Sequence, residues 1–409
     1  MRISKISIKN YRSCNEVVFI PHKSLSVLIG PNGSGKTNIL SAIKLLPALC
    51  YHRTSSFIQD EPITSACELK TWYEIDDFSI THTAKLDVVT NEKNQDEIIR
   101  SEEHWLIPAG GKRRKKISVP SWILFDLFQE RNSLQLGQRT RAANIMQFLS
   151  RRGLNAKAME SLDKAMRLVN GISYYSASQF TNPGGCPISF EVEVDAKRRT
   201  GISITGHKRL LYDMYQESRK NTTTYAEFIS LVGPDGIGLV EEIEFKEIET
   251  SSSNYSVMTG GKVVKREKKN QLVVPSFRIS GNNLSPSQLS EGTFKTLALV
   301  FYLVTDKSSI LMIEEPEVCV HHGLLNSIVE LIDIYSKDKQ IIISTHSESV
   351  LDKLQIDNVF KVRRTNDKGT KVTSIKGNMK AKELKALTHY LLDEGSLGEF
   401  WKHGDLENV

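Results

Sequence analysis

A chain of 409 residues is long for one compact domain and suits one enlarged domain or two modest ones. With 39% apolar and 25% charged residues it has the composition of a globular protein, and its net charge of +6 permits nucleic-acid or phosphate-rich partners without requiring them. The five cysteines contain no C-x-x-C pair, the N-terminus has no apolar signal core, and the longest apolar stretch (297–304) is too short to cross a membrane. We therefore expect a cytoplasmic protein with no membrane partner.

The first predicted elements are a strand, a loop and a helix. Residues 3–8 alternate between apolar and polar, which indicates a half-buried strand, and Val17 to Ile20 reads as its hairpin partner. Residues 24–29 form a short apolar run that ends in a glycine loop. From Thr37 onward apolar residues recur at helical spacing.

The loop between these elements fits the phosphate-binding pattern G-x-x-x-x-G-K-[ST] at every position. Glycines let backbone N–H groups wrap phosphates where a Cβ would clash, and the helix N-terminus adds partial positive charge. Lys36 is expected to reach the β- and γ-phosphates, and the Thr37 hydroxyl to hold Mg²⁺. The predicted ligands are thus ATP and Mg²⁺, and the predicted nucleotide-binding residues of this segment are Gly30, Asn32, Gly33, Ser34, Gly35, Lys36, Thr37 and Asn38.

The middle of the chain is predicted to consist of insertions. Residues 69–107 indicate an antiparallel meander and residues 110–116 a basic hairpin tip. Residues 122–170 have a helical pattern, whereas 197–272 are polar and irregular with one helix near 209–218. The predicted division is an N-terminal lobe (1–125), a helical and irregular insertion region (126–272) and a C-terminal lobe (273–409).

The C-terminal lobe returns to regular order. A helix is predicted from about Phe294 through Val304, followed by apolar strands at 310–313 and 340–344 with a further helix between them. Apolar strands separated by helices indicate a parallel sheet that is buried on both faces.

Two acids follow the first of these strands. Glu314 is predicted to hold Mg²⁺ through its water shell, and Glu315 to polarise the attacking water. The first acid of this pattern is usually aspartate, so Glu314 is a departure that could shift the metal geometry. Acids at a strand end also occur simply as solvated side chains.

A third motif, Leu289-Ser290-Glu291-Gly292-Thr293, opens the Phe294 helix. Ser290 and the Gly292 backbone at a helix N-terminus form a second anion site, which would serve the nucleotide of a partner chain. The alternative is a capped helix start, since Ser290 with Thr293 would also cap well.

The fourth motif is the strand 341–344 that leads to His346. A histidine at this strand end would contact or sense the γ-phosphate, although a lone histidine is more often structural.

With these four motifs in this order, the chain resembles the ABC-type ATPases of the RecF, OLD-nuclease and SMC-head group, over about 1–75 and 275–409. The resemblance implies an α/β fold: a P-loop ATPase head with a mixed central sheet, an antiparallel β-meander and helical insertions. It also implies that Arg12 and Ser13 touch the nucleotide, and that a glutamine joins the metal site. Gln59 has the expected place for that glutamine, and Gln179 competes with it.

Two departures from the group concern the signature and the stretch after the acids. Glu291 and Thr293 stand where transporter ATPases carry glycine and glutamine, so the signature resembles that of the RecF and OLD proteins more than that of transporters. Residues 318–322 lack the group's usual Leu-His-Pro. Within them, His321 or His322 could line a dimer interface or simply start the next helix, and for His322 we favour the helix start.

The resemblance implies a homodimer that closes head to tail over ATP and hydrolyses it to ADP and phosphate, slowly until a partner triggers it. The tail 391–401 is similar to stand-alone ATPase subunits of two-gene anti-phage systems, such as PtuA of Septu and AriA of PARIS, and the short stretch after His346 leaves no room for a Toprim nuclease. An effector protein from a neighbouring gene is then expected. The alternative is a RecF-like repair ATPase that clamps DNA, suggested by the basic runs 112–116, 151–152 and 262–269. A transporter subunit fits less well.

Overall fold

The computed structural model describes residues 1–50, 63, 65–90, 96–108, 116–120, 123, 136–193, 206–257, 263–318, 320, 322–365, 367, 369–379, 381–392 and 395–402. Gln59, His321 and most of the predicted basic hairpin tip lie outside these residues. The chain forms two compact units, each assembled from separate stretches. Unit 1 comprises 1–174, 307–316 and 329–409, and unit 2 comprises 175–306 and 317–328.

Unit 1 contains an antiparallel sheet with the strand order β2-β1-β4-β5-β6-β7. Its strands are β1 (Arg2–Tyr11), β2 (Cys14–Phe19), β4 (Cys67–Ile75), β5 (Phe78–Thr90), β6 (Asp96–Pro108) and β7 (Lys116–Pro120). A register shift between Ile3 and Lys5 lets Ile3 join Ile6 and Ile8 in the core, although strict alternation would put it on the opposite face. The predicted opening hairpin and meander are confirmed.

The second sheet of unit 1 has the order β16-β15-β3-β14-β13-β8. Its strands are β3 (Leu25–Ile29), β8 (Ile172–Ser176), β13 (Ile310–Glu314), β14 (Gln340–Thr345), β15 (Val359–Thr365) and β16 (Gly369–Ser374). The last two residues of β8 belong to unit 2. β3, β13, β14 and β15 pair in parallel, whereas β16 pairs antiparallel with β15. Every residue of β3 and β14 is buried, as the apolar runs indicated. The predicted α/β class with a mixed central sheet is confirmed.

Helices cover this framework. α1 (Lys36–Leu49) buries the apolar stripe that the sequence predicted, and α3 (Ala156–Asn170) is capped by Asn155, whose side chain accepts from the Ala158 N–H. The others in unit 1 are α2 (Leu136–Arg151), α8 (Ile375–Asn378), α9 (Ala381–Leu392) and α10 (Leu397–Lys402). The helical pattern predicted for 122–170 is confirmed for 136–151 and 156–170.

Unit 2 is more regular than predicted. Its elements are β9 (Phe190–Glu193), α4 (Gly206–Lys220), α5 (Thr223–Val232), β10 (Glu242–Val257), β11 (Val263–Ile279), β12 (Asn282–Leu284) and α6 (Glu291–Thr305). α7 (His322–Tyr335) starts at His322, as favoured, and passes from unit 2 into unit 1.

The irregular structure expected for 197–272 is wrong over most of the described part of that stretch. β10 and β11 form a long antiparallel hairpin with an unbroken register from Glu242↔Arg278 to Val257↔Val263. Serines and asparagines near 251–254 have low strand propensity, and backbone pairing overrides it. Ring packing supports the unit: Phe228 on α5 meets Phe301 on α6 edge to face at 5.2 Å.

Among the helices that the structure describes, none has the length and apolar character needed to span a membrane.

Candidate functional site

The phosphate loop of unit 1 runs from β3 to α1 and depends on its glycines. Gly33 and Gly35 adopt φ values of 77° and 105°, which side chains disfavour. A Cβ on Gly30 would lie 2.2 Å from the Val362 carbonyl oxygen, and one on Gly35 would lie 2.0 Å from Thr370 Oγ1. Gly33 has open space around it, at the exposed tip that it shares with Asn32. The loop is therefore held tightly at both ends and open in the middle.

Lys36 lies at the start of α1, and its side chain folds back onto this loop. Its Nζ donates to the Gly30 carbonyl at 2.7 Å and to the Pro31 carbonyl at 3.1 Å, and only 5% of the residue is exposed. Ser34 Oγ is also buried and has no hydrogen-bond partner among the described residues. A buried ammonium, an unpaired hydroxyl and a helix N-terminus together fit a phosphate chain.

Thr37 and Glu314 come together beside the loop. Thr37 Oγ1 donates to Glu314 Oε1 at 2.5 Å. Glu314 ends β13 opposite Ser344 of β14, and β14 in turn pairs with β3, so the carboxyl ends of the three strands share one edge with the loop. Hydroxyl and carboxylate oxygens are ligands that Mg²⁺ prefers, so Thr37 and Glu314 fit that ion.

Tyr174 also contacts this pair, which the sequence did not indicate. Its hydroxyl donates to Glu314 Oε2, leaving Oε1 for Thr37. The ammonium of Lys44 lies 4.8 Å from the Tyr174 ring centroid. Tyr174 and Thr37 thus each hold one oxygen of the Glu314 carboxylate.

Glu315 and His346 lie together at the same sheet edge. Glu315 follows β13 with a φ of 47°, and its N–H donates to the Ser344 carbonyl oxygen at 2.9 Å. His346 follows β14, and its Nδ1 lies 3.6 Å from Glu315 Oε1. Both side chains are partly exposed, at 33% for Glu315 and 44% for His346. A carboxylate that is held by its backbone and open to solvent can accept a proton from water.

The turn between β1 and β2 approaches the start of α1. Arg12 Nη1 lies 3.5 Å from Asn38 Oδ1 and 3.4 Å from Ser41 Oγ, and Asn38 Nδ2 donates to Ser13 Oγ at 2.6 Å. Arg12, Ser13 and Asn38, which were predicted as nucleotide-binding residues, therefore form one group next to the phosphate loop. A cavity of about 400 Å³ adjoins this group; it is lined by Arg12, Ser13, Asn15, Arg364, Thr365 and Gly369.

Thr370 is a second residue that the sequence did not indicate. Its Oγ1 lies 2.8 Å from Ser13 Oγ and donates to the Ser34 carbonyl at 3.0 Å. The preceding Gly369 has a φ of 68°, and a Cβ there would lie 2.4 Å from the Ser13 carbonyl oxygen. Gly369 was the available signal in the sequence, but a glycine at this position did not indicate that the next residue, Thr370, contacts Ser13 and Ser34.

Cys14 lies beside the same turn and is buried. Desolvation raises the pKa of its thiol to about 11, although hydrogen bonds from Thr370 and Ser13 and the charge of Arg12 act in the opposite direction. The thiol is therefore neutral at physiological pH and contributes packing rather than charge.

The signature residues belong to unit 2. Ser290 is the N-cap of α6, and its Oγ accepts from the Thr293 N–H at 3.1 Å and lies 2.8 Å from Thr293 Oγ1. Glu291 pairs at 2.7 Å with Lys295, which is 2% exposed. The geometry of the capped helix start is thus present, and the anion site at Ser290 and Gly292 stays a prediction.

The glutamine of the metal site also stays a prediction. Gln59 lies outside the described residues. Gln179 is exposed on a short 3₁₀ helix (Ala177–Phe180) of unit 2.

In unit 1 the phosphate loop and the acidic strand end lie at one edge of an α/β sheet, an arrangement that is typical of P-loop nucleotide-binding proteins. Two family models match the chain: residues 1–107 match "AAA ATPase domain", and residues 238–352 match "AAA domain, putative AbiEii toxin, Type IV TA system".

Short stretches of the chain are similar to curated DNA replication and repair proteins named RecF. The DNA replication and repair protein RecF of Desulforamulus reducens is 51% identical over 43 residues, which are 10% of this chain and 12% of that protein. RecF of Staphylococcus carnosus is 41% identical over 56 residues, covering 14% and 15% of the two chains. The matched stretch is thus a small fraction of each relative's length.

Solved structures with a similar course of the chain include the SMC head domain from Thermotoga maritima, at 14% identity and a TM-score of 0.42, covering 91% of this chain and 99% of that one. An SMC head bound to the C-terminal winged-helix domain of ScpA has 14% identity and a TM-score of 0.47, covering 94% and 100%. At this level of identity and superposition the likeness carries no functional information.

Proposed function

We propose that this protein binds ATP with Mg²⁺ and hydrolyses it to ADP and phosphate. The observation that carries the proposal is the Thr37–Glu314 contact at 2.5 Å next to the loop that holds Lys36. A hydroxyl and a carboxylate from residues far apart in sequence meet beside a phosphate-binding loop, which is the arrangement that a metal–nucleotide complex requires.

The residues then have distinct roles. The loop N–H groups and Lys36 bind the phosphates, while Thr37 and Glu314 would hold Mg²⁺, which would neutralise charge that develops on the phosphate oxygens. Water attacks the γ-phosphorus, the bond to the ADP oxygen breaks, and Glu315 accepts a proton from the water. His346 orients Glu315 or contacts the γ-phosphate. Arg12, Ser13 and Asn38 contact the nucleotide from the side of the β1–β2 turn.

Lys36→Ala tests the proposal, with Lys337→Ala, an exposed lysine of the same unit, as the matched control. We expect Lys36→Ala to lose binding of a fluorescent ATP analogue and all phosphate release, while Lys337→Ala retains both. Equal nucleotide affinity in the two variants would contradict the assignment of the loop.

We further propose that two copies close head to tail, with Ser290 and the Gly292 backbone of one copy contacting the nucleotide of the other. The motivation is the signature sequence at the start of α6 together with a helix N-terminus, which suits an anion. Binding and hydrolysis would then switch the assembly between closed and open states.

Light scattering of Glu315→Gln with and without ATP and Mg²⁺ tests the dimer. An ATP-dependent rise to a dimer or its multiple, absent in Glu315→Gln/Lys36→Ala, is expected. A monomer under both conditions contradicts the head-to-tail mechanism while leaving the ATP site intact.

The cellular role that we propose is a sensor and scaffold ATPase of an anti-phage system, similar to PtuA of Septu or AriA of PARIS, which controls a separate nuclease or toxin. The resemblance of the tail motivates it, and the family description for residues 238–352, which names a toxin, is compatible with it. Phage challenge of cells that carry the gene with its neighbours tests this role; equal plaque counts for wild type and Lys36→Ala across a diverse panel would contradict it.

The second candidate is a DNA-clamping ATPase, favoured by the RecF matches and the net charge of +6. Counterion release then requires that duplex DNA binding weakens steeply as salt rises. Absence of DNA binding at low salt, with and without ATP, would exclude this candidate.

A further inference from the structure

A buried group of three potential metal ligands lies in unit 1 at the end of α1 that is remote from the phosphate loop. Cys50 follows α1 directly, His82 lies on β5 and Glu103 lies on β6. One ligand atom from each residue lies within 4.8 Å of the other two. Cys50 is 1% exposed, and the side chains of His82 and Glu103 are 0% and 7% exposed. Three titratable side chains are thus withdrawn from water at one point, where the charged form of each is costly unless it is paired.

His82 is held rigidly within the group. Its ring stacks on Trp105 with centroids 4.3 Å apart and an interplanar angle of 18°. Its Nε2 lies 3.0 Å from Glu103 Oε1. Its other nitrogen, Nδ1, is buried and has no hydrogen-bond partner among the described residues. Leaving a buried acceptor unsatisfied costs about 1–3 kcal/mol, so this imidazole retains capacity for a further ligand.

Arg100 orders the carboxylate and the helix end. It pairs with Glu103 Oε2 and donates to the Leu49 carbonyl oxygen at the last turn of α1. Glu103 Oε1 remains directed to His82. The C-terminal end of a helix carries partial negative charge, and that charge favours a cation near Cys50.

We propose that Cys50, His82 and Glu103 bind a divalent transition-metal ion of the zinc class. Thiolate, imidazole and carboxylate are the ligands that Zn²⁺ takes in proteins, and a thiolate disfavours Mg²⁺. Bonds of about 2.0–2.3 Å to a tetrahedral ion separate its ligands by roughly 3.3–3.8 Å, so ligand atoms that lie within 4.8 Å of one another need to approach by at most about 1.0–1.5 Å. Thiolate and carboxylate supply two negative charges to the ion, and Arg100 beside Glu103 adds one positive charge.

A metal ion at this site would stabilise the fold of unit 1 and would take no part in ATP hydrolysis. It joins the end of α1 to β5 and β6, while the other end of the same helix carries Lys36 and Thr37. A bound ion would anchor the helix that supports the phosphate loop, independently of whether ATP is hydrolysed.

Titration of the metal-free full-length protein with Co²⁺ tests the site. We expect one equivalent to bind with a thiolate-to-cobalt charge-transfer band in the near ultraviolet, and Zn²⁺ to abolish that band by displacement. Cys50→Ala should lose the band. Cys67→Ala, which removes another buried thiol of unit 1, should retain it.

His82→Gln should weaken Co²⁺ binding at least tenfold, and the melting temperature should rise with Zn²⁺ in wild type but not in Cys50→Ala. If a variant fails to fold, the Co²⁺ titration of the wild-type protein still tests the proposed metal site. Absence of a charge-transfer band in wild type, or its persistence in Cys50→Ala, overturns the proposal and leaves the group as a hydrogen-bonded core cluster.

Discussion

The Thr370 hydroxyl donates to the Ser34 carbonyl oxygen over 3.0 Å, which links the start of β16 to the middle of the phosphate loop. The same hydroxyl lies 2.8 Å from Ser13 Oγ, so the loop is tied at once to the β1–β2 turn. The loop conformation therefore depends on two connections that are distant in the sequence.

Thr370→Val should weaken ATP binding because it removes both contacts and leaves the Ser34 carbonyl unsatisfied. One such hydrogen bond contributes roughly 1 kcal/mol, so we expect a loss of about 5- to 30-fold in affinity. Thr373→Val on the same strand is the control, since its hydroxyl lies 3.5 Å from the Lys361 carbonyl and not near the loop. Nucleotide titration by calorimetry measures both; equal affinities would show that the loop holds its shape without Thr370.

Gly35→Ala and Gly33→Ala form a matched pair. Both replace a glycine with positive φ, but only the Cβ at position 35 meets Thr370 Oγ1 at 2.0 Å, whereas that at position 33 meets open space. We expect Gly35→Ala to abolish ATP binding and Gly33→Ala to retain part of it, because Gly33 incurs only the backbone cost of about 1–2 kcal/mol. Measuring the dissociation constant for ATP in each variant tests this expectation. A similar loss of affinity in the two variants would mean that backbone strain alone determines the effect of a substitution in the loop.

Glu315→Gln should lower the rate of hydrolysis by about 10²- to 10⁴-fold with little change in ATP affinity, because an amide cannot accept the proton from water. Single-turnover measurements separate the two quantities. Glu330→Gln, an exposed glutamate of the same unit, is expected to behave as wild type. A normal rate of ATP hydrolysis in Glu315→Gln would mean that another residue accepts the proton from water. His346→Ala would then be the next variant to measure.

Tyr174→Phe removes the hydroxyl that donates to Glu314 and retains the ring next to Lys44. We expect a several-fold rise in the Mg²⁺ concentration that half-saturates ATP hydrolysis, since Glu314 loses one of its two orienting contacts. A Mg²⁺ titration at saturating ATP measures it. An unchanged requirement for Mg²⁺ would mean that Thr37 alone suffices to orient the carboxylate.

The buried thiols predict how stability changes at alkaline pH. Burial raises the pKa of Cys14 and of Cys67 from 9.0 to about 11. Between these values the unfolded chain has released protons that the folded chain retains, so the free energy of unfolding falls as pH rises from about 9 to 11. Urea unfolding at several pH values measures this slope. We expect a shallower slope in the double variant Cys14→Ala/Cys67→Ala, and an equal slope would assign the effect to other groups.

The sequence identified those parts of the site whose signals are local. The loop pattern lies in eight consecutive residues, and the acids and His346 directly follow apolar strands, so their positions at one sheet edge followed from parallel pairing. Tyr174 and Thr370 could not be found this way, because each acts on a residue that is distant in the chain and has no motif of its own.

The same limit applies to the fold. The opening hairpin and the meander were predictable because apolar and polar residues alternate along them. The β10–β11 hairpin was not, since its polar residues have low strand propensity and only pairing with the opposite strand holds them extended. Cys50, His82 and Glu103 are spread over 54 residues and come together only through the packing of α1 on the meander.

The position of β3 between β14 and β15 has a consequence for biosynthesis. The strand that leads into the phosphate loop is made roughly 300 residues before either of its neighbours. At about 5–20 residues per second, a nascent chain carries this strand without its neighbours for about 15–60 s. During that interval the ribosome-bound chain has the complete phosphate-loop sequence but no sheet to hold it, so competence to bind ATP arises only after β14 and β15 have been made.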